Sequence, residues 1–285
     1  MFDIVVVGSA NLDLVAGVQD LPRYGQTVSA DSYAEHAGGK GLNQAVACAR
    51  MGARVAFVGC VGDDAAGRML RGLLADEGID VEALGTSVLP TGRAFITVDS
   101  SGGNTIVVVP GANADVGRDH DIELPPCRLV LAQLETPTAT VASVLRQARR
   151  AGVRTVLNPA PAVALPAGLV ADCDIVVPNE MEAEALGGAD ELLRAGAAAV
   201  VVTLGERGAL VVTVGSTHAV DPHRVAPVDT VGAGDAFVGA MCAELMRGAP
   251  LIDACRTGAV AGALATTVHG AVPSLPTRDA VLSAT

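Results

Sequence analysis

Tryptophan is missing from this 285-residue chain, and aromatic residues of every kind make up only 2% of it. Large stacked rings therefore cannot fill the interior. Half of the residues are apolar all the same, so the core must be built from Val, Ala and Leu. That is the composition of buried parallel strands covered by helices on both faces. Paired cysteines are missing as well. Cys48, Cys60, Cys127, Cys173, Cys242 and Cys255 show no CxxC spacing, and most sit in apolar runs. They read as small buried hydrophobes in a reducing compartment, not as a zinc site. Runs of basic residues are missing too: 31 acidic against 19 basic residues give a net charge of −12. Nucleic acid and anionic membranes are poor partners for such a surface, and an anionic substrate must be held by a local device. No apolar stretch reaches the roughly 20 residues of a membrane span. The N-terminus runs straight into a strand-like segment with no basic leader. The expected location is the cytoplasm.

Lysine is nearly missing: 18 of the 19 basic residues are arginine, and the one lysine, Lys40, stands among glycines in AGGKGLNQA (37–45). A chain that uses arginine everywhere else has kept a compact ammonium there.

Short apolar runs that end in small or polar residues predict buried strands at 3–8, 54–62, 154–161, 173–179 and 197–205. Helical periodicity lies between them. LNQAVACARMG puts Leu42, Ala45, Val46 and Ala49 on one face, and DAAGRMLRGLLADEG does the same with Met69, Leu70, Leu73 and Leu74. TVASVLRQARRAG and GDAFVGAMCAELMRG follow suit. Alternation of strand and helix predicts βαβ units and one α/β domain over 1–285, with a mostly parallel central sheet flanked by helices. Segments 12–35 and 92–110 break the rhythm. GRAFITV and TIVVV flank the turn DSSGGN as a hairpin, and 12–18 and 27–34 read as further short strands. Together these insertions predict a small β-sheet lid.

Ligands of open α/β sheets bind beyond the carboxyl ends of the strands. The residues at those ends are Asn11 and Asp13, Gly59 to Asp64, Glu135, Asn158, Asn179 to Glu182, and Thr203 to Gly208. In VDTVGAGDAFVGA (228–240), Gly232, Ala233 and Gly234 open a helix with bare N–H groups, a ready anion site. Asp235 in that first turn would repel an anion, so it is either a proton acceptor for a nearby nucleophile or simply a helix-start acid. AGGKGLNQA is a second glycine-rich helix start and fails the P-loop pattern. Its Gly38 and Gly39 allow close backbone approach, and Asn43 offers both donors and acceptors. Asn179 and Glu182 in PNEMEAE share a helix face. They could orient hydrated magnesium or form an ordinary acidic first turn. TLGERG (203–208) could seat a flat ring or make a tight hairpin turn. His36, His120, His218, His223 and His269 have no metal spacing.

Taken in order along the whole chain, seven stretches resemble the PfkB family of carbohydrate kinases, above all its ribose-phosphorylating branch. They are GSANLD, the segment 38–67 beginning GGKGLNQA, GAN (111–113) with QLETP, LNPAPA, PNEMEAE and DTVGAGDAFVGA. The resemblance implies transfer of the γ-phosphoryl of ATP to the 5-hydroxyl of D-ribose. Asp235 would be the base, and the N–H groups of Gly232, Ala233 and Gly234 the anion hole. It implies a sugar site of Asn11, Asp13, Gly38, Gly39, Lys40, Asn43, Ile96 and Glu135. ATP would lie on Asn179, Thr203, Gly205, Gly208 and Gly234, with Glu182 holding Mg2+ through water. A monovalent cation, K+, would sit among Asp229, Val231, Val268, Gly270 and Ser274. The lid strands imply a homodimer.

Three departures stand out. The segment 186–202 is short, as though a surface helix were trimmed; Val231 stands where Thr is common; and Gly258 stands where a larger polar residue flanks the adenine. Alternatives are a related kinase acting on a ketohexose, a deoxy sugar acid or a nucleoside, and, from another class, a catalytically silent sugar-binding protein.

Overall fold

A computed structural model describes residues 1–100, 103–118 and 122–285. Ser101 and Gly102 of the predicted hairpin turn, and His120, lie outside the described residues. In chain order the strands are β1 (Phe2–Val7), β2 (Asn11–Gly17), β3 (Ser32–Gly38), β4 (Val55–Gly62), β5 (Leu84–Ser87), β6 (Gly92–Val98), β7 (Asn104–Val109), β8 (Cys127–Ala132), β9 (Arg154–Leu157), β10 (Ile175–Val176), β11 (Ala199–Thr203), β12 (Ala209–Thr213) and β13 (Ser216–Val220). The helices are α1 (Lys40–Arg50), α2 (Ala65–Asp76), α3 (Thr138–Arg150), α4 (Glu180–Ala185), α5 (Ala189–Arg194), α6 (Ala233–Met246), α7 (Leu251–Ala265), α8 (Ala271–Ser274) and α9 (Arg278–Ala284).

The large sheet runs β13-β12-β11-β10-β9-β8-β1-β4-β5. It is parallel from β5 to β11 and closes with the antiparallel β12–β13 hairpin. Its inner strands are apolar on both faces because both faces are covered. Ile4 and Val6 of β1 join one core with α1, α6 and α7, while Val5 and Val7 join the other with α3. Leu42, Leu70, Leu129, Leu131 and Leu145 are fully buried. Truncating any of them to Ala should cost about 2–5 kcal/mol. Met69 departs from the predicted apolar face of α2. It is 41% exposed, while Leu70 and Leu74 carry the packing, so the buried stripe is narrower than the run of apolar residues.

A second sheet, β3-β2-β6-β7, is built from the two segments that interrupt the alternation. β2 and β6 pair in parallel and the outer strands pair antiparallel. The strand expected at 27–34 starts at Ser32 instead and continues to Gly38. This later start carries the chain directly into α1. The register places Asn11, Asp13 and Ile96 on one face of the small sheet, and Leu14, Phe95 and Val107 on the other.

Helix α6 is buried almost all round. Its small residues explain how: a Cβ on Gly239 would come within 2.4 Å of the Ala47 side chain and 3.0 Å of the Cys48 nitrogen. Gly258 of α7 presses on the Phe237 carbonyl in the same way, at 2.9 Å. Gly258 is therefore a helix-packing residue, which accounts for its small size. PNEMEAE itself builds α4, and the short segment after it holds only the six-residue α5 before β11. No helix among the described residues is long and apolar enough to cross a membrane.

Candidate active site

The close crossing of α1 and α6 brings their N-terminal turns together beyond the carboxyl ends of β1, β8, β9 and β10. Helix α1 is pressed against the β1–β2 connection: a Cβ on Gly41 would lie 2.5 Å from the Ser9 nitrogen and 2.6 Å from the Gly8 carbonyl carbon. Gly39 precedes the helix with φ +90°, a conformation that glycine adopts without steric cost. Gly232 caps α6 in the left-handed region, with no side chain capping that end. The first N–H groups of α6 thus have no side-chain cap, and of these the Ala233 N–H donates to the backbone carbonyl of Thr230 at 3.3 Å.

Asp235 is buried, 8% exposed, and both of its oxygens accept amide protons. Asn43 Nδ2 donates to Oδ2 and Gln44 Nε2 to Oδ1, each at 2.9 Å. Burial pushes the Asp235 carboxyl above the ordinary aspartate value, while Lys40, Asn43 and Gln44 pull it down and Glu135 adds to the rise. It is no mere helix-start acid, since its side chain points away from its own N–H groups into an amide cradle on α1.

The predicted sugar-side residues gather beside it. Asn11 is buried, and its Oδ1 accepts from Asn113 Nδ2 at 2.7 Å. Asp13 lies over Gly38, where a Cβ would fall 2.0 Å from its Oδ2. Its carboxylate has no hydrogen-bond or ion-pair partner among the described residues. Burial, with Glu135 and Asp235 nearby, raises its pKa to about 7. Glu135 Oε2 accepts from the Ser9 hydroxyl at 2.5 Å and from the Lys40 backbone N–H at 3.0 Å. One of its oxygens is therefore spent on fastening the start of α1. The Lys40 ammonium forms no ion pair within 4 Å among the described residues. Burial disfavours its charge, but Asp235, Glu135 and Glu182 outweigh burial and hold its pKa above the lysine norm. Ile96 is half-buried on the face of the small sheet that carries Asn11 and Asp13.

On the other side, Asn179 caps α4. Its side chain accepts from Glu182 N–H and Glu182 Oε2 accepts from Asn179 N–H, both at 2.8 Å. The acidic-turn reading of this pair is thus correct as far as the capping box goes. Glu182 nevertheless senses the cleft: burial raises its pKa, the Asn179 N–H and Lys40 lower it, and Asp235 raises it. Thr203 ends β11 and bridges to Asn179. Segment 205–207 is a 3-10 turn inside the β11–β12 hairpin, so TLGERG does make a tight turn. A Cβ on Gly205 would meet open space, whereas one on Gly208 would lie 2.1 Å from the Val220 carbonyl oxygen. Gly208 is thus fixed by packing against β13, and Gly205 is the glycine that keeps a surface open.

Asp229 joins two loops. Its Oδ1 accepts from Val231 N–H at 3.0 Å and its Oδ2 from Gly270 N–H at 2.8 Å. Buried Ser274 donates to the Ala271 carbonyl at 2.8 Å, and Val231 and Val268 are exposed at the surface of these loops. Among the described residues no group of three or more His, Cys, Asp or Glu could hold a metal ion. The cysteines are all free, and five of them are buried. A separate hollow of about 780 Å3, lined by Arg149, Arg154, Asp174 and Leu251, opens at the amino ends of the strands and shares no residue with this cluster.

Sequence reasoning picked out the stretches holding Ser9, Gln44, Asn113 and Gln133 but gave these four residues no role. Gln44 and Gln133 are both 0% exposed, and Gln133 Nε2 donates to Gln44 Oε1 at 2.6 Å. The signal that could have found Gln133 is polarity in an apolar setting, since it directly follows the buried run LVLA, but Gln44 falls opposite the face of Leu42, Ala45, Val46 and Ala49, and is buried because α1 is enclosed on that side as well.

Comparison with known proteins adds an independent line. Residues 1–278 match the pfkB family carbohydrate kinases. The chain is 38% identical to the ribokinase of Haemophilus influenzae, across 98% of this chain and 97% of that one. It superposes on the crystal structure of a ribokinase from Thermotoga maritima with a TM-score of 0.92 and 35% identity, covering 100% of this chain and 99% of that one. The Arabidopsis thaliana ribokinase complexed with ribose and ATP gives 0.87 and 31%, covering 99% and 98%.

Proposed function

The chain belongs to the pfkB family of carbohydrate kinases, and from that premise we propose how it carries out the ATP-dependent phosphorylation of ribose. The observation that carries the reading is Asp235, a buried carboxylate held by two amides at the start of α6 and facing the same cleft as Asn11, Asp13 and Lys40. Ribose lies against Asn11, Asp13, Gly38, Gly39, Lys40 and Asn43, with Ile96 and the small sheet as its lid. Its 5-hydroxyl is directed at Asp235. As the hydroxyl oxygen attacks the γ-phosphorus, its proton passes to the Asp235 carboxylate and ADP leaves. Burial raises the Asp235 pKa, which improves it as a proton acceptor. The loose transition state asks chiefly for positioning and charge stabilisation. The N–H groups of Gly232 and Gly234, that of Ala233 once it leaves the Thr230 carbonyl, and the dipole of α6 supply the latter. Asn179, Thr203 and Gly205 line the nucleotide side, with Gly208 shaping the turn that holds Gly205.

The residues present fit the two cations of the reading. Magnesium keeps most of its water shell and needs one or two carboxylates. Glu182, half-buried with Oε1 free of any hydrogen bond among the described residues, suits that need. Magnesium would neutralise phosphate charge. For potassium, Asp229 ties the loops of Val231 and Gly270 together. The carbonyls of Val231, Val268 and Gly270 and the Ser274 oxygen are then the available donors, oxygens of the kind such an ion takes. The outer face of the small sheet exposes Tyr33, Phe95, Val107 and Val109, apolar area that a homodimer through the lids would cover. Light scattering at micromolar concentration checks this: a monomer mass contradicts it.

The deciding experiment is a coupled ADP-release assay over pentoses, deoxy sugars, hexoses and nucleosides, with and without potassium. Magnesium-dependent turnover with ribose is expected. Turnover with another acceptor and none with ribose overturns the ribose reading while leaving the fold assignment intact.

A further inference from the structure

The mechanism above uses Asn43 but leaves a second, deeper amide unexplained. Gln44 is fully buried, so no substrate touches it. Its Nε2 donates to Asp235 Oδ1 and to Asn158 Oδ1, each at 2.9 Å. Its Oε1 accepts from Gln133 Nε2 at 2.6 Å. Asn158 in turn donates to the Val177 carbonyl at 2.8 Å. The chain of amides therefore has one direction. A carboxylate and a backbone carbonyl can only accept, so Asp235 fixes the nitrogen of Gln44 and Val177 fixes the nitrogen of Asn158. The oxygen of Asn158 must then face Gln44, and the oxygen of Gln44 must face Gln133. Three residues from three strand ends, Gln133 after β8, Asn158 after β9 and Val177 after β10, thus set the orientation of one amide on α1.

The cost of this arrangement is visible. Gln133 Oε1 is buried with no hydrogen-bond partner, and it lies against Gly8, where a Cβ would fall 2.2 Å away. An apolar core at these positions would carry no such orphan. The polar chain ends on Asp235, and that is where its effect is felt.

We propose that Gln44 is the positioning residue of the catalytic carboxylate, with Gln133 and Asn158 locking its amide so that Asp235 is aimed at the acceptor hydroxyl. The inference rests on Asp235 being the base, and it adds the device that directs it. Asn43 and Gln44 hold one oxygen each, so losing Gln44 frees the carboxylate to rotate about its remaining bond. It also removes a donor that favours the ionised form. The charged groups facing Asp235 are Lys40 on α1, Glu135 after β8, Asp13 on β2 and Glu182 on α4. Without Gln44, only Lys40 and Asn43 oppose the carboxylates and burial. The acid limb of the rate profile should then move to higher pH.

The test compares Gln44→Met, near in shape but with no donor, with Gln133→Leu and Asp235→Asn, using kcat, ribose KM and kcat against pH. For Gln44→Met we expect kcat at the plateau to fall about tenfold to a hundredfold, the range of one hydrogen bond to a charged group. Ribose KM should stay within about threefold, and the acid limb should move up. Gln133→Leu keeps the donor and loses only its lock, so its fall should be smaller and in the same direction. A purely structural role would lower the melting temperature and leave the pH limb in place. If Gln44→Met does not fold by circular dichroism, Gln44→Glu is read in the same way, with a larger rise of the limb because it adds a like charge. A folded Gln44 variant with wild-type kcat and limb overturns the inference. If Asp235→Asn is inactive in that experiment, the base reading survives. If Asp235→Asn itself turns over normally, the base reading fails first.

Discussion

Replacing Asp13 by Asn should stabilise the ligand-free protein while abolishing its use of ribose, and the gain should depend on pH. Asp13 lies in the cleft beside Glu135 and Asp235 with no donor to its carboxylate among the described residues, and these surroundings raise its pKa from 3.8 to about 7. A carboxyl raised on folding stabilises the fold only while it stays protonated. Above pH 3.8 the unfolded chain ionises freely and the folded one does not, so stability falls with rising pH until the folded group ionises near 7, and then levels off. At about 1.4 kcal/mol per pH unit, the ceiling on the loss is about 4 kcal/mol. The group is partly exposed and screened by solvent, which reduces the effective figure to about 1–2 kcal/mol. For a chain of this size that is a rise of about 2–4 °C in melting temperature at pH 8. At pH 5.5, midway through the interval, about half of the gain should be present. Differential scanning fluorimetry of both proteins at the two pH values measures it, and the ADP-release assay measures the accompanying loss with ribose. An unchanged or lower melting temperature at pH 8, or a gain identical at both pH values, would refute the electrostatic account of this residue. The trade of stability for a site is what a binding carboxylate held ready without a partner entails.

Three further outcomes are expected. Lys40→Arg should lower ribose turnover at least about tenfold, since a planar fork demands matched acceptors in a space shared by three carboxylates; an unchanged rate and KM would return the ammonium to a solvent role. Gly41→Ala should lower the urea midpoint by the equivalent of about 1–3 kcal/mol or more, because its Cβ would lie 2.5 Å from the Ser9 nitrogen; an unchanged midpoint would show that α1 is not pressed on that loop. Burial pushes the Cys48, Cys173 and Cys255 thiols up to about 12 and Cys127 to about 11. The native protein should therefore react slowly with a thiol reagent at pH 8, with all six cysteines reacting in guanidinium chloride; a fast burst of several thiols in the native state would contradict the burial.

The central sheet was legible because apolar runs and helical periods are local signals. The runs at 3–8 and 54–62 became β1 and β4 nearly unchanged. The small sheet was legible only as a break in that rhythm, and the start of β3 was placed five residues early, since nothing local marks where a polar strand such as SYAEHAG begins. Asp235 and Asn43 could be picked out because glycines flag the turns around them. Gln44 and Gln133 could not, because a buried amide becomes meaningful only when three strand ends converge on it. Glu135 was found for a reason that proved incomplete: its carboxylate fastens the Lys40 backbone and Ser9, a contact spanning 126 residues of chain that no local pattern carries.

Why one lysine in a chain of arginines follows from where its charge is needed. The net charge of −12 gives no general attraction for a polyphosphate, and the cleft itself sets Glu135, Glu182 and Asp235 around a single ammonium, with Asp13 beside Glu135 and Asp235. A guanidinium there would settle into a two-pronged pair with one carboxylate and leave the rest uncompensated. The Lys40 ammonium makes no pair within 4 Å among the described residues, yet is raised by Asp235, Glu135 and Glu182 together, so it acts as a shared point charge. One shared charge still cannot offset these carboxylates and a triphosphate at once. The remainder has to come from the dipole at the start of α6 and from cations. In the proposed reading those cations would sit by Glu182 and at the loops tied by Asp229, on either side of the phosphates.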